Sequence, residues 1–363
     1  MKNYLFSLAL LCSAFLFSSA VLAIPYSNLY VVGDSLSDTG NLFTATDFLT
    51  GAGAPADDHY WNGRFANGEV YSGLLAQKLG VTLAPSILGG NNFSYGGARS
   101  YYNVVEVDSS KPAFAPQGGV LPEDAFSWTL NSQQQAFESR GINDPNGLYV
   151  LFFGSNEISD LVGPALNGFN VVPYMDNMLL GMQGVIEAYI AAGAHDIIVP
   201  NVPDLGLVPR VFGLDPLPGA PPNLVAMTAT SLAYQYNIML ATLLDSYVDV
   251  NIIQFDTFGF LTEIASDPAA FGFVDATSFC YSGFVLPNDG SQTVCPNPDE
   301  LIYWDDEHPT TALHALLADR FYAAAVPEPS TLALFMLGVV GMVLFSQKSR
   351  KDLPQYNTVN LLE

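Results

Sequence analysis

Positive charge is what this sequence has least of. Against 35 acidic residues it carries only 11 lysines and arginines, for a formal net charge of −24. So few cations leave little to neutralise phosphates, which argues against nucleic acid as a partner and predicts a soluble, self-repelling surface. Cysteine is also scarce, with 3 in the chain, and one of them, Cys12, lies inside an N-terminal apolar segment. Histidine numbers 4, at His59, His195, His308 and His314, so candidates for a general base are few. No internal period of about 20 to 50 residues is present, and no low-complexity linker divides the chain, which predicts a single domain between its ends. Apolar residues are not lacking: they make up 50% of the sequence, enough to bury a sizeable core.

Both ends read as processing segments. At the N-terminus, Lys2 precedes an apolar run from Tyr4 to Phe17, and Val21, Leu22 and Ala23 offer small residues at cleavage spacing. Residues 1–23 are therefore expected to be a secretory signal, the alternative being a buried first helix. Bulky Leu11 before Cys12 disfavours a lipid-modified cysteine. Removal of this segment leaves Cys280 and Cys295, an even pair in a chain that leaves the cytoplasm, and a disulfide is expected. The bond would close a loop rich in Gly, Pro and Asn. Two free buried thiols are the alternative.

At the other end, Pro327-Glu328-Pro329 is followed by an apolar run from Leu332 to Phe345 and then by Lys348, Arg350 and Lys351. As a helix that run reaches roughly 21 Å at about 1.5 Å per residue, against a hydrocarbon core of about 30 Å. It is a marginal transmembrane helix, better suited to a transient anchor than to a permanent one. The three parts in this order resemble the PEP-CTERM sorting signal. That resemblance implies recognition by an exosortase-type processing enzyme, transient membrane association, and a cell-surface or extracellular-matrix location in a Gram-negative bacterium. Asp352 to Glu363 continue beyond the basic cluster, where the family signal usually ends. The expected organisation is thus a signal at 1–23, a core domain at 24–325 and a sorting or anchor segment at 326–363.

Within the core, short β-branched or aromatic runs (Leu29–Val32, Leu148–Phe153, Asp196–Val199, Asn251–Phe255) alternate with helix-like stretches (Glu69–Leu79, Tyr174–Ala192, Ala226–Tyr247, Thr310–Ala324). Strands alternating with helices predict an α/β fold with a mostly parallel sheet covered on both faces. Gly51–Asn67, Asp108–Asp124 and Asp275–Asp299 read as long loops gathered around a site.

The first strand runs into Gly33-Asp34-Ser35-Leu36-Ser37-Asp38. A serine there sits at the carboxyl edge of the sheet, where open α/β folds place ligands, and if a helix starts at once its backbone N–H is free to face an anion. Taken alone, Gly-Asp-Ser is as well read as a turn and a helix cap. A nucleophilic serine needs a base, and the base needs an orienting carboxylate. Only His308 has one built in, Asp305, within Trp304-Asp305-Asp306-Glu307-His308-Pro309. Surface or capping roles are expected of His59, His195 and His314. Ester cleavage also needs donors for the oxyanion. Asn92-Phe93-Ser94-Tyr95-Gly96-Gly97-Ala98 and Gly154-Ser155-Asn156-Glu157 each hold a candidate, although each alone is a common turn.

These blocks, in this order, resemble the SGNH/GDSL hydrolases, with Ser35, Gly97, Asn156 and His308 standing at the family's Ser, Gly, Asn and His, and Asp305 matching its Asp-x-x-His. Spacing from Asn92 favours Gly97 over Gly96. The resemblance runs from Asn28 to about Tyr322 and takes in the Trp61-Asn62-Gly63-Arg64-Phe65 loop. It implies a three-layer α/β/α, flavodoxin-like domain, a Ser35-His308-Asp305 triad, and an oxyanion hole from the Ser35 and Gly97 N–H groups and the Asn156 amide. No metal or organic cofactor is implied. The third block reads Asn156-Glu157 where the family commonly has Asn-Asp. The expected function is exported carboxylic-ester hydrolysis on lipid, acyl or O-acetyl esters. Acyl transfer through the same acyl-enzyme, or a matrix protein that keeps the fold without catalysis, are the alternatives.

Overall fold

The protein is described here by a computed structural model over residues 26–55, 59–100, 128–283 and 292–326, with 338, 339 and 342 of the tail. The expected signal segment, Cys12 and the Asp108–Asp124 loop lie outside the described residues. Residues Met1–Ala325 and Val326–Glu363 form separate units.

Four strands build one sheet in the order β1-β2-β3-β4: β1 Leu29–Gly33, β2 Leu148–Phe152, β3 Asp196–Pro200 and β4 Asn251–Phe255. All three pairings are parallel, with Leu29 beside Leu148 and Gly33 beside Phe152. Every residue of β1 and β2 is buried, as parallel strands covered on both faces require, whereas edge strand β4 is partly exposed. On the free side of β1 the segment around Asn92 adds a further parallel bridge: Val31 N–H donates to Asn91 O at 3.1 Å and Phe93 N–H to Val31 O at 2.7 Å. The chain therefore leaves β1 toward one neighbour and later returns to pair β2 on the other. The carboxyl end of β1 is a topological switch point, where folds of this kind open a crevice.

The helices are α1 Asn41–Thr50, α2 Tyr71–Leu79, α3 Leu130–Ser139, α4 Ser155–Leu166, α5 Val172–Ala191, the short α6 Pro209–Phe212, α7 Leu224–Leu244, α8 Thr257–Ser266 and α9 Thr311–Ala325. Strand alternation sorts them into layers. Tyr149 and Phe152 on β2 point to opposite faces. Tyr149 meets Phe137 of α3 at 6.2 Å between ring centroids and Tyr189 of α5 at 4.9 Å, whereas Phe152 meets Tyr71 of α2 at 5.8 Å and Phe321 of α9 at 6.4 Å. The result is a three-layer α/β/α domain with a mostly parallel sheet.

Three local expectations are revised. A second sheet begins inside the segment expected to be loop: β5 Asp275–Phe279 opens that segment and pairs with β6 Leu301–Tyr303 just beyond its end. No helix begins at Ser35: a single turn closes by Ser37 N–H and Asp38 N–H donating to Asp34 O at 3.0 Å, and α1 starts only at Asn41. The transmembrane helix expected of the tail is corrected, since among the described residues no helix is long and apolar enough to cross a membrane. Most of the apolar run itself lies outside the described residues.

Candidate active site

Strand β1 delivers Ser35 to the switch point through a tightly held turn. Gly33 is required there, because a Cβ would fall 2.7 Å from the Phe152 carbonyl oxygen and the Ser37 Oγ. Its backbone is held by one side chain: Gly33 N–H donates to Gln133 Oε1 at 3.0 Å and Gln133 Nε2 donates to Gly33 O at 2.8 Å. Asp38 then replaces a conventional helix cap. Its carboxylate accepts from Gly40, Asn41 and Leu42 N–H at the start of α1 and from Gly96 N–H at 2.9 Å. Burial drives its pKa up to about 6 despite these bonds. Asn41 completes the tie by donating to the Asn92 and Ser94 carbonyls at 2.7 and 2.9 Å. The first block and the Asn92–Gly97 segment are thereby one hydrogen-bonded unit.

Strand β6 delivers the other half. The loop after it is pinched shut by Trp304 N–H donating to His308 O at 2.8 Å and Thr310 N–H donating to Ile302 O at 2.9 Å. Within it, Asp305 Oδ1 accepts the backbone N–H groups of Glu307 and His308 at 2.8 and 2.6 Å. The His308 Nδ1 lies 2.9 Å from Asp305 Oδ2, and its Nε2 lies 3.0 Å from Ser35 Oγ. Ser35, Asp305 and His308 are therefore in line, at 7%, 0% and 3% exposure. Two further contacts set the imidazole plane and its carboxylate. The Phe65 ring lies 4.9 Å from that of His308, and the Tyr60 hydroxyl donates to Asp305 Oδ2 at 2.6 Å.

Electrostatics follow from this packing. Burial opposes charge on both partners, yet their mutual attraction and hydrogen bonds outweigh it. Asp305 is held below the usual carboxylate range, helped by the Tyr60 and His308 bonds, and His308 above the usual imidazole value, with Glu307 adding to the rise and Arg210 opposing it. Arg210 on α6 pairs with both Asp306 and Glu307 inside the pinched loop, and its backbone N–H donates to Asp306 O at 2.7 Å. Buried Asp34 is different: with no charged partner close enough to offset burial, its pKa rises to about 7.

Asn156 stands at the start of α4, just past β2, and its Nδ2 donates to Ala98 O at 3.1 Å. That bond sets the amide beside Gly97, which is exposed and has φ +71°, a left-handed backbone that favours glycine. Gly96 spends its N–H on Asp38, whereas the Ser35 and Gly97 N–H groups have no acceptor among the described residues. Glu157 is fully buried and accepts from the Ser100 N–H and, at 2.7 Å, from the Ser100 hydroxyl. The departure from Asn-Asp thus locks α4 to the chain leaving Gly97.

Of the other histidines, His195 is exposed, and His59 stacks on Tyr281 with centroids 4.9 Å apart. His314 departs from the surface role expected of it. It is 0% exposed on α9, both ring nitrogens lack a partner among the described residues, and burial presses its pKa down to about 3. Cys280 and Cys295 are joined by a disulfide just beyond β5. That bond packs into a cluster of Tyr60, Tyr281, Leu301 and Trp304. Tyr60 was not singled out in the sequence. Its place beside the Trp61–Phe65 loop was the available signal, but its partner Asp305 is 245 residues away.

The sheet thus presents a serine at its switch point, against a histidine and an aspartate from a distant loop. The chain belongs to the GDSL-like lipase/acylhydrolase family, whose model matches residues 29–321. Residues 325–351 match the PEP-CTERM protein-sorting motif. Among curated proteins, the chain is 25% identical to a GDSL esterase/lipase of Arabidopsis thaliana over 328 residues, covering 82% of this chain and 89% of the relative. It is 28% identical to esterase EstA of Pseudomonas aeruginosa over 342 residues, 82% of this chain but only 47% of that esterase. A phosphatidylcholine-sterol acyltransferase of Aeromonas hydrophila is 23% identical over 334 residues, 81% of this chain and 88% of the relative.

Proposed function

We propose that the protein is an exported carboxylic-ester hydrolase in which Ser35 attacks the ester carbonyl and His308 moves the proton. The observation that carries this is the continuous line from Asp305 through His308 Nδ1 and Nε2 to Ser35 Oγ, with distances of 2.9 and 3.0 Å. His308 Nε2 takes the Ser35 hydroxyl proton as Oγ bonds to the carbonyl carbon, and Asp305 fixes the ring tautomer and offsets the imidazolium charge. The developing oxyanion is met by the Ser35 and Gly97 N–H groups and by the Asn156 amide, which turns from Ala98 O toward it. His308 then returns the proton to the departing alcohol oxygen, leaving an acyl ester on Ser35. Water, deprotonated by the same imidazole, attacks that ester, and His308 gives the proton to Ser35 Oγ as the acid leaves.

An alcohol in place of water would give acyl transfer, as the printed name of the Aeromonas relative describes for that protein. The PEP-CTERM match supports sorting to the cell surface, with an exosortase-type enzyme acting near Pro327-Glu328-Pro329. The test is hydrolysis of 4-nitrophenyl esters by Ser35→Ala and His308→Ala. Each substitution is expected to lower kcat by on the order of a thousandfold or more with the fold kept. A folded Ser35→Ala variant with near-normal turnover rules the reading out.

A further inference from the structure

We propose that Arg210 is a positioning residue of the hydrolytic site: it ties α6 to the loop that carries Asp305 and His308, and it offsets the two acids between them so that Asp305 remains the carboxylate that governs the base. The proposal rests on His308 being the general base of an ester hydrolase. Asp305, Asp306 and Glu307 place three carboxylates in a row directly before His308. Unopposed, they would repel one another and hold the imidazole protonated, a form that cannot take the Ser35 proton.

Arg210 meets both of the extra acids. Its Nη2 donates to Asp306 Oδ1 at 2.8 Å and its Nε to Asp306 Oδ2 at 3.3 Å, while Nη1 lies 2.5 Å from Glu307 Oε2. A planar guanidinium can hold this two-pronged contact and a second carboxylate together, which a lysine ammonium cannot. The Arg210, Asp306 and Glu307 side chains are 20%, 12% and 28% exposed, so water screens the group less than it would a surface pair.

Local structure puts the guanidinium there. Pro209 opens α6 and Arg210 follows it, at a position where the backbone N–H has no acceptor within its own helix. That N–H donates to Asp306 O at 2.7 Å. The preceding turn is fixed to β6 by the Tyr303 hydroxyl, which donates to Leu207 O at 3.0 Å. Backbone and side chain of one residue thus grip Asp306, the immediate neighbour of Asp305. Arg99, which lines the same cleft as Arg210, is engaged by Asp160 instead.

His308 is faced by Asp34 and Ser35 from the turn after β1, by His314 from α9 and by the acids of its own loop, with Tyr60 acting through Asp305. Against this background Asp305 and Glu307 raise its proton affinity, and Arg210 lowers it.

The test is the pH dependence of 4-nitrophenyl acetate hydrolysis by the full chain, with folding checked by melting temperature. Arg210→Met should move the acid limb of kcat/KM up by about one pH unit and lower the plateau kcat by on the order of tenfold. Arg210→Lys restores the charge without the fork, so the limb should return close to that of the wild type while kcat stays reduced. Glu307→Gln keeps the Arg210–Asp306 pair and should move the limb down, which gives an independent reading should Arg210→Met fail to fold. A limb unmoved in folded Arg210→Met, with kcat alone reduced, makes Arg210 a packing residue and overturns the proposal while His308 stands as base. A limb that stays or rises in Glu307→Gln overturns it equally. Hydrolysis by folded His308→Ala as fast as by the wild type removes the base itself, and the proposal with it.

Discussion

The hydroxyl of Tyr60 donates to Asp305 Oδ2 at 2.6 Å, reaching across 245 residues of sequence to the carboxylate that orients His308. Tyr60 is itself wedged edge-on against Tyr281 and Trp304, in the cluster that contains the Cys280–Cys295 bond. Burial, with the Asp305 charge adding to it, pushes the phenol far above its ordinary range, so Tyr60 remains a donor at every working pH.

A consequence for catalysis is that Tyr60→Phe should lower kcat by on the order of tenfold, as expected for loss of a hydrogen bond to a charged group. The pH profile separates this from a merely structural effect. With neutral His308 as the proposed base, kcat/KM should rise with pH through a value above the ordinary 6.5, because Asp305 and Glu307 outweigh burial in raising it. Removal of the Tyr60 bond concentrates the Asp305 charge on His308, and the acid limb should move higher still. An unchanged limb in the folded variant would reduce Tyr60 to packing.

Much of this arrangement was legible in the sequence, and the reasons are local. Runs such as Leu148–Phe152 are short, apolar and β-branched or aromatic, which only a buried parallel strand satisfies. Asp305 and His308 could be paired because both lie on one short loop. What was not legible depends on contacts distant in sequence. The β5 run, Asp-Ala-Thr-Ser-Phe, is largely exposed and carries no apolar pattern, so only its pairing with β6 makes it a strand. Tyr60 meets Asp305 only when two loops are brought together. His314 looked like a surface residue because a titratable ring on a helix usually is one. Its burial against Tyr71, 6.4 Å away between centroids, comes from α9 packing on α2.

His314 makes stability depend on pH in a definite direction. Its folded pKa is depressed to about 3, so as pH falls below about 6.5 the unfolded chain takes up a proton that the folded chain refuses. Stability from this residue is complete above that pH and is lost progressively on acidification, by about 2 kcal/mol between pH 7 and pH 5. His308, with a raised pKa, acts in the opposite sense, so the comparison must be between wild type and His314→Phe. Denaturant unfolding at pH 7 and pH 5 should show a smaller acid loss in the variant. Equal losses would mean that His314 titrates normally.

The proposed oxyanion donors can be separated by kinetics. Asn156→Ala should lower kcat by on the order of a hundredfold with little change in KM, since the amide is needed only as charge develops. Glu157→Asp restores the commoner family residue, but the shorter side chain cannot reach the Ser100 N–H and hydroxyl from the same backbone. It should therefore destabilise the protein by about 1–3 kcal/mol, measured by chemical denaturation. A neutral effect would show that the lock between α4 and the Gly97 segment is dispensable.

The most direct test is chemical trapping of the nucleophile. The protein would be treated with a fluorophosphonate and digested, and the adduct located by mass spectrometry. The expected result is stoichiometric modification of Ser35, strongly slowed in His308→Ala and absent in Ser35→Ala, in step with loss of ester hydrolysis. Modification of another serine, or full activity surviving complete labelling of Ser35, would contradict it.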